Sequence, residues 1–164
     1  MRKRSKYRPK GVRPDAIGYV LDSMKPVTAH ESFAVDLRLT NHLALTLLTQ
    51  GKATRKDMDV LISALNITEA LWMLGHGREY RNVVDAGLRA LRSVGSRGLA
   101  TDRFILNAAE MAAINEAMEL HDAQLDIATI KDIEKALVIV HEEMRNKRAT
   151  PIVGEGIDMP KELV

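Results

Sequence analysis

Residues 78–94 read Arg78-Glu-Tyr-Arg-Asn-Val-Val-Asp-Ala-Gly-Leu-Arg-Ala-Leu-Arg-Ser-Val94, with Tyr80, Val83, Val84, Gly87, Leu88, Leu91 and Val94 recurring at steps of three and four. That is the period of a helix with one apolar face, and Arg81, Asp85, Arg89 and Arg92 fall largely on the other side. A half-buried strand would instead alternate in twos over a shorter run. Gly95 and Gly98, which follow at once, bracket a predicted loop.

The same reasoning extends in both directions. Upstream, Thr54 with Asp57 opens a helix that Gly75 closes. Its stripe of Met58, Leu61, Ile62, Leu65, Leu71, Trp72 and Leu74, widened by Val60, Ala64 and Ile67, suits a central helix. Before it, Thr28-Ala-His-Glu31 has the spacing of a capping box. The helix it predicts runs to about Gln50, with Gly51 just past its end. Phe33, Val35, Leu37 and Leu39 alternate as a strand would, but Leu43, Leu45, Leu47 and Leu48 extend the run too far, and length decides for helix. Asp15 to Met24 reads as a short helix stopped by Lys25-Pro26, because the residue before proline avoids helical torsions.

Downstream, Asn107 with Glu110 opens a helix whose seam is Met111, Ile114, Met118, His121 and Leu125. Thr129 with Asp132 opens the last one, with a seam of Ile130, Ile133, Leu137, Val140 and Met144. Arg145, Lys147 and Arg148 stand near its negative end. Matching seams and a short link predict an antiparallel hairpin of these two helices. The expected architecture is all-α: a compact bundle of about five long helices over residues 15–148. It lies between a basic flexible arm, 1–14, and an extended tail, 149–164, marked by Pro151, Gly154, Gly156 and Pro160.

Composition agrees with this class. A chain of 164 residues that is 46% hydrophobic and 28% charged buries one core and is too apolar for disorder. With aromatics at 4%, that core is built from Leu, Ile, Val, Ala and eight Met, which suits packed helices. The absence of cysteine excludes disulfides, thiolate metal sites and cysteine nucleophiles. No window approaches the ~18 uninterrupted apolar residues of a membrane span. Gly11, Pro14 and Asp15 interrupt the start too early for a secretory signal. The expectation is a protein of the cytoplasm.

Charge is divided unevenly. The first thirteen residues hold seven of the 24 Lys and Arg (Arg2, Lys3, Arg4, Lys6, Arg8, Lys10 and Arg13) and no Asp or Glu, leaving 24 − 7 = 17 basic side chains against all 22 acidic ones in the rest. Such an arm releases counterions from a phosphate backbone and binds it without sequence preference. Tyr7 adds a ring that can stack on an exposed base, and Pro9, Gly11 and Pro14 keep the arm out of a regular helix. A leader that only aids solubility is the plainer reading, yet seven cations without one acid exceed what solubility requires. The pattern does not separate DNA, RNA and an acidic protein surface. A second basic surface is predicted from Arg78, Arg81, Arg89, Arg92, Arg97 and Arg103, where only Glu79, Asp85 and Asp102 are acidic. The nucleic-acid contacts expected there are Arg78 and Arg81, and the turn Gly75-His-Gly77-Arg78 reads chiefly as a plain link between helices.

Signals for catalysis are sparse. The dipeptide His121-Asp122 resembles the metal-binding pair of the HD-type phosphohydrolases, which are also all-helical. That pattern needs an earlier His and a later Asp; His42 or His76 and Asp126 or Asp132 are present, and neither spacing fits. His121 also falls in an apolar seam, where a hydrogen-bonded core histidine is the simpler account. His141-Glu142-Glu143 lacks the second histidine of a zinc-protease helix, and no serine sits in a nucleophile elbow. No metal, cofactor or catalytic residue is predicted.

Three segments, Lys3-Arg4-Ser5-Lys6-Tyr7-Arg8-Pro9-Lys10, Asn41-His-Leu-Ala-Leu-Thr with Thr49-Gln-Gly-Lys-Ala-Thr54, and Met118-Glu-Leu-His-Asp-Ala-Gln124, resemble small proteins of tailed phages and prophages of proteobacteria. The resemblance implies a setting in the bacterial host cytoplasm and no particular activity. The first expectation is a non-enzymatic accessory protein whose arm binds nucleic acid or a host complex containing it. The alternative is a counter-defence, anti-CRISPR-like inhibitor acting by protein binding, and a metal-dependent phosphohydrolase resting on His121-Asp122 is the remote third. Long amphipathic helices often leave a strip that a second subunit covers, so a homodimer stays open.

Overall fold

Three of the long helices begin at a reciprocal capping box between residues three apart. In the computed structural model, which describes residues 16–29 and 31–146, the helices are α1 (Ala16–Ser23), α2 (Glu31–Thr49), α3 (Arg55–Met73), α4 (Arg81–Thr101), α5 (Ala108–Ile127) and α6 (Ile130–Arg145). The basic arm and the C-terminal tail lie outside the described residues. Asn107 Oδ1 accepts from the Glu110 amide at 2.8 Å while Glu110 accepts from the Asn107 amide at 3.0 Å, a reciprocal box. Thr129 and Asp132 repeat it at α6, and Asp57 accepts from the Thr54 amide at 2.7 Å at α3. At α2 a 3-10 turn, Val27–Ala29, contains Thr28, so the helix starts later than the predicted box, and its cap position lies outside the described residues. Gly51, at φ +66°, ends α2 with the Lys52 amide reaching back to the Leu47 carbonyl at 2.8 Å.

α3 is the central helix, packing against α2, α4, α5 and α6. On one side Leu61 and Leu65 join Leu48, Leu91, Val94, Ile114 and Met118 in the larger core. On the other, Ala70 and Leu71 meet Val27, Ala34, Ala128 and Ala136 in a smaller one. α4 and α5 pack closely at Gly87, which is required by proximity: a methyl there would stand 2.5 Å from Ala117 Cβ. Among the described residues the β structure is a single bridge, Pro26 with Thr129.

Two expectations are corrected. The loop predicted at Gly95 and Gly98 is helix, and α4 continues to Thr101 before Asp102, at φ +54°, turns the chain. These glycines are buried packing surfaces. Phe104 folds back onto Gly98 so closely that a Cβ there would lie 2.1 Å from its ring, and burying the ring outweighs the roughly 1 kcal/mol that glycine costs a helix. The hairpin predicted from α5 and α6 is also absent, because α6 packs on α3. The link is extended at Ala128 and Thr129 and is held by the Val27 amide on the Ala128 carbonyl and the Ile130 amide on the Lys25 carbonyl, at 3.0 and 3.1 Å. The face turned inward is therefore Ile133, Ala136, Ile139 and Val140, while Leu137 and Met144 of the predicted seam are exposed.

Candidate binding groove between three helices

The turn from α3 to α4 needs glycine twice, at Gly75 (φ +110°) and Gly77 (φ +71°), because side chains disfavour such torsions. It is closed by its own bonds. The Gly75, His76 and Tyr80 amides donate to Trp72, Leu71 and Gly77 carbonyls at 3.0 Å each, so the plain-link reading of this turn holds. Beyond it, Trp72 Nε1 donates to the Arg78 carbonyl at 3.0 Å, which sets the indole edge against the start of α4. The Arg81 guanidinium lies over that indole at 4.4 Å and bridges Glu69 at 3.2 Å and Asp85 at 2.7 Å. Arg81 thus ties α3 to α4, and the Asp85 hydrogen bond raises its already high pKa.

Below this knot α4 and α6 both pack on α3 without closing over it, leaving a groove of about 490 Å³. Its floor and walls carry Ile62, Met73, Leu88, Leu91, Val140 and Met144, with Arg89 and Arg92 on the α4 lip and Glu143 on the α6 lip. Asn66, Glu69, Arg81 and Asp85 also line it, so the groove is mixed polar and apolar in character. A shallower hollow of about 320 Å³ lies between α2 and α3, beside Leu37, Val60 and Ile67.

The predicted basic surface separates into different roles. Arg78 is exposed at the groove's upper end, and Arg89, Arg92 and Arg103 are exposed along α4 and just past it. Arg97 is turned inward as a two-pronged clamp on Glu110, at 2.8 and 2.7 Å, which Ser93 completes at 2.8 Å. The Arg97 hydrogen bonds hold the Glu110 carboxyl down at about 2. The arm residues Arg2, Lys3, Arg4, Lys6, Tyr7, Arg8, Lys10 and Arg13 lie outside the described residues.

His121 and Asp122 do not converge. His121 is fully buried, its Nδ1 2.9 Å from Thr68 Oγ1 and its Nε2 3.2 Å from Asn41 Nδ2. Because the Thr68 hydroxyl donates to the Ala64 carbonyl at 3.0 Å, it accepts from Nδ1–H, and Nε2 accepts from Asn41. Both ring nitrogens are thereby engaged, and burial lowers the imidazole pKa to about 4. Asp122 points away, toward His42 at 2.7 Å and Arg38 at 3.9 Å. The other pair considered from sequence, His76 and Asp132, meets at 3.5 Å beside the α3–α4 turn. Among the described residues no group of three His, Asp or Glu side chains is placed to hold a metal ion. No helix among them is long and apolar enough to cross a membrane.

Sequence reasoning missed the groove itself. The four-residue steps Arg81, Asp85, Arg89 announce a row of alternating charge along one face. Glu69 and Trp72 join it only through the α3–α4 packing, and α6 only through the bridge that redirects it. No family model, curated protein or solved structure matches this chain.

Proposed function

We propose that this protein is a non-enzymatic, phage-type accessory protein that binds nucleic acid, or a host complex containing it, through its basic N-terminal arm. The observation that carries the reading is the division of charge. The arm has seven cations and no acid, whereas residues 16–146 have 14 Lys and Arg against 18 Asp and Glu. A body near 14 − 18 = −4 is a poor partner for phosphate and leaves attraction to the arm. Arg2, Lys3, Arg4, Lys6, Arg8, Lys10 and Arg13 neutralise phosphates and Tyr7 stacks on a base. Arg78, exposed at the head of α4, adds a contact from the folded body, and Arg81, paired with Glu69 and Asp85, stands three residues further on. Deleting residues 1–13 should abolish a gel shift with DNA and RNA while leaving helical circular dichroism unchanged. Retention of full affinity by the shortened protein contradicts the proposal.

A counter-defence inhibitor acting by protein binding is the second reading. It is favoured by Val35, Leu39 and Leu43, spaced four residues apart and exposed along α2, a helix face suited to a protein groove. A pull-down from nuclease-treated bacterial lysate separates the two. A defined partner that survives nuclease supports inhibition, and loss of every partner supports direct nucleic-acid binding.

A further inference from the structure

We infer that the hollow between α2 and α3 binds a small zwitterion with an apolar ring, namely a free aromatic amino acid whose ring carries an N–H or O–H. The hollow holds about 320 Å³. Its walls are Leu37 from α2 with Val60 and Ile67 from α3, all half-buried. Apolar walls with a few placed polar groups are what small-molecule sites share, and a ring gains by leaving water against them.

The floor carries one polar side chain with capacity to spare. Asn41 lines the hollow and is 3% exposed, and its Nδ2 donates to His121 Nε2 at 3.2 Å. Thr68, 2.9 Å from Nδ1, fixes the tautomer that accepts this bond. The Asn41 amide therefore cannot turn over without setting two acceptors against each other. Its Oδ1 is left without a partner among the described residues. A hydrocarbon guest would cover that oxygen and strand it, whereas a ring N–H or O–H satisfies it.

The rim supplies both signs of charge. Lys56 and Asp59 line the hollow, are exposed, and take part in no ion pair among the described residues. Three residues apart on α3, they are neighbours on one helix face. A carboxylate and an ammonium borne on one carbon match them together, the carboxylate on Lys56 and the ammonium on Asp59. A ligand with a single charge would engage one and meet its own sign at the other. Spacing along α3 agrees: Ala64, in the floor with Asn41 and His121, lies five residues past Asp59, about 7.5 Å at the helical rise. An indole or phenol side chain covers that span, so its polar hydrogen reaches the floor while its charged end stays at the rim.

Isothermal titration calorimetry on the full chain tests this without nucleic acid, so the outcome stands apart from that of the arm. Tryptophan and tyrosine should bind saturably, and phenylalanine, which lacks the ring donor, about tenfold more weakly. Lys56→Gln and Asp59→Asn, both at exposed positions and checked for helical circular dichroism, separate the two charges. Lys56→Gln should weaken tryptophan about fivefold and leave tryptamine, which lacks the carboxylate, unchanged. Asp59→Asn should weaken tryptophan by a similar factor and leave indole-3-propionate, which lacks the ammonium, unchanged. Absence of saturable binding by tryptophan and tyrosine at millimolar concentration overturns the inference. So does tryptophan binding that neither substitution alters, or phenylalanine binding as tightly as tyrosine.

Discussion

At the residue scale, the two buried ionisable groups govern how stability responds to acid. His121 titrates near 6.5 when exposed and near 4 when folded, so the folded state resists its protonation. The full contribution is present above about pH 6.5 and is lost as pH falls toward 4, amounting to about 3 kcal/mol. Urea unfolding of the wild type and of His121→Gln across that window should show the wild type losing stability more steeply. Parallel curves would remove the buried-histidine account. Glu110, held at about 2 against 4.5, has the lower window: its contribution is intact above pH 4.5 and disappears as pH drops through 2. At neutral pH, Arg97→Ala should cost about 2 kcal/mol by leaving that carboxylate without its clamp, measurable by the same denaturation. The apolar setting of His121 was legible from its place in the Met111 to Leu125 seam. Its partners Asn41 and Thr68 were not, because they come from helices 80 and 53 residues away.

At the scale of elements, starts were easier to read than ends or neighbours. Thr54, Asn107 and Thr129 announced helices because a cap is a local bond between residues three apart. Gly95 and Gly98 misled because the same residue that breaks a helix also permits close packing, and only Phe104, brought back by the next turn, tells which applies. Gly98→Ala should therefore destabilise by about 1–3 kcal/mol despite alanine's better helix propensity, and Phe104→Ala in the same protein should abolish most of the added penalty. Thermal unfolding of the four proteins in that cycle gives the coupling. A stabilised Gly98→Ala would mean that the ring does not press on the helix. The partner of α6 was hidden for a related reason. Periodicity gave a seam through Leu137 and Met144, whereas the face buried on α3 runs through Ala136 and Ile139, and the backbone bonds that tie Lys25 and Val27 to the α5–α6 link come from a distant part of the chain.

For the whole molecule, the uneven division of charge between arm and body is the dominant feature. In the proposed reading the arm, with seven cations and no acid, faces a polyanion, and the folded body carries the opposite net charge. The all-helical class was legible from periodicity alone, and the charge division from counting residues. The groove was not, since it exists only after three helices from separate parts of the chain have packed. The most direct test of the central claim is the salt dependence of affinity, by fluorescence anisotropy, for a labelled DNA duplex with and without residues 1–13. If about five arm cations reach phosphates, the log–log slope should be roughly −4.5 for the full chain and close to zero without the arm. Equal slopes and equal affinities for the two proteins would contradict it.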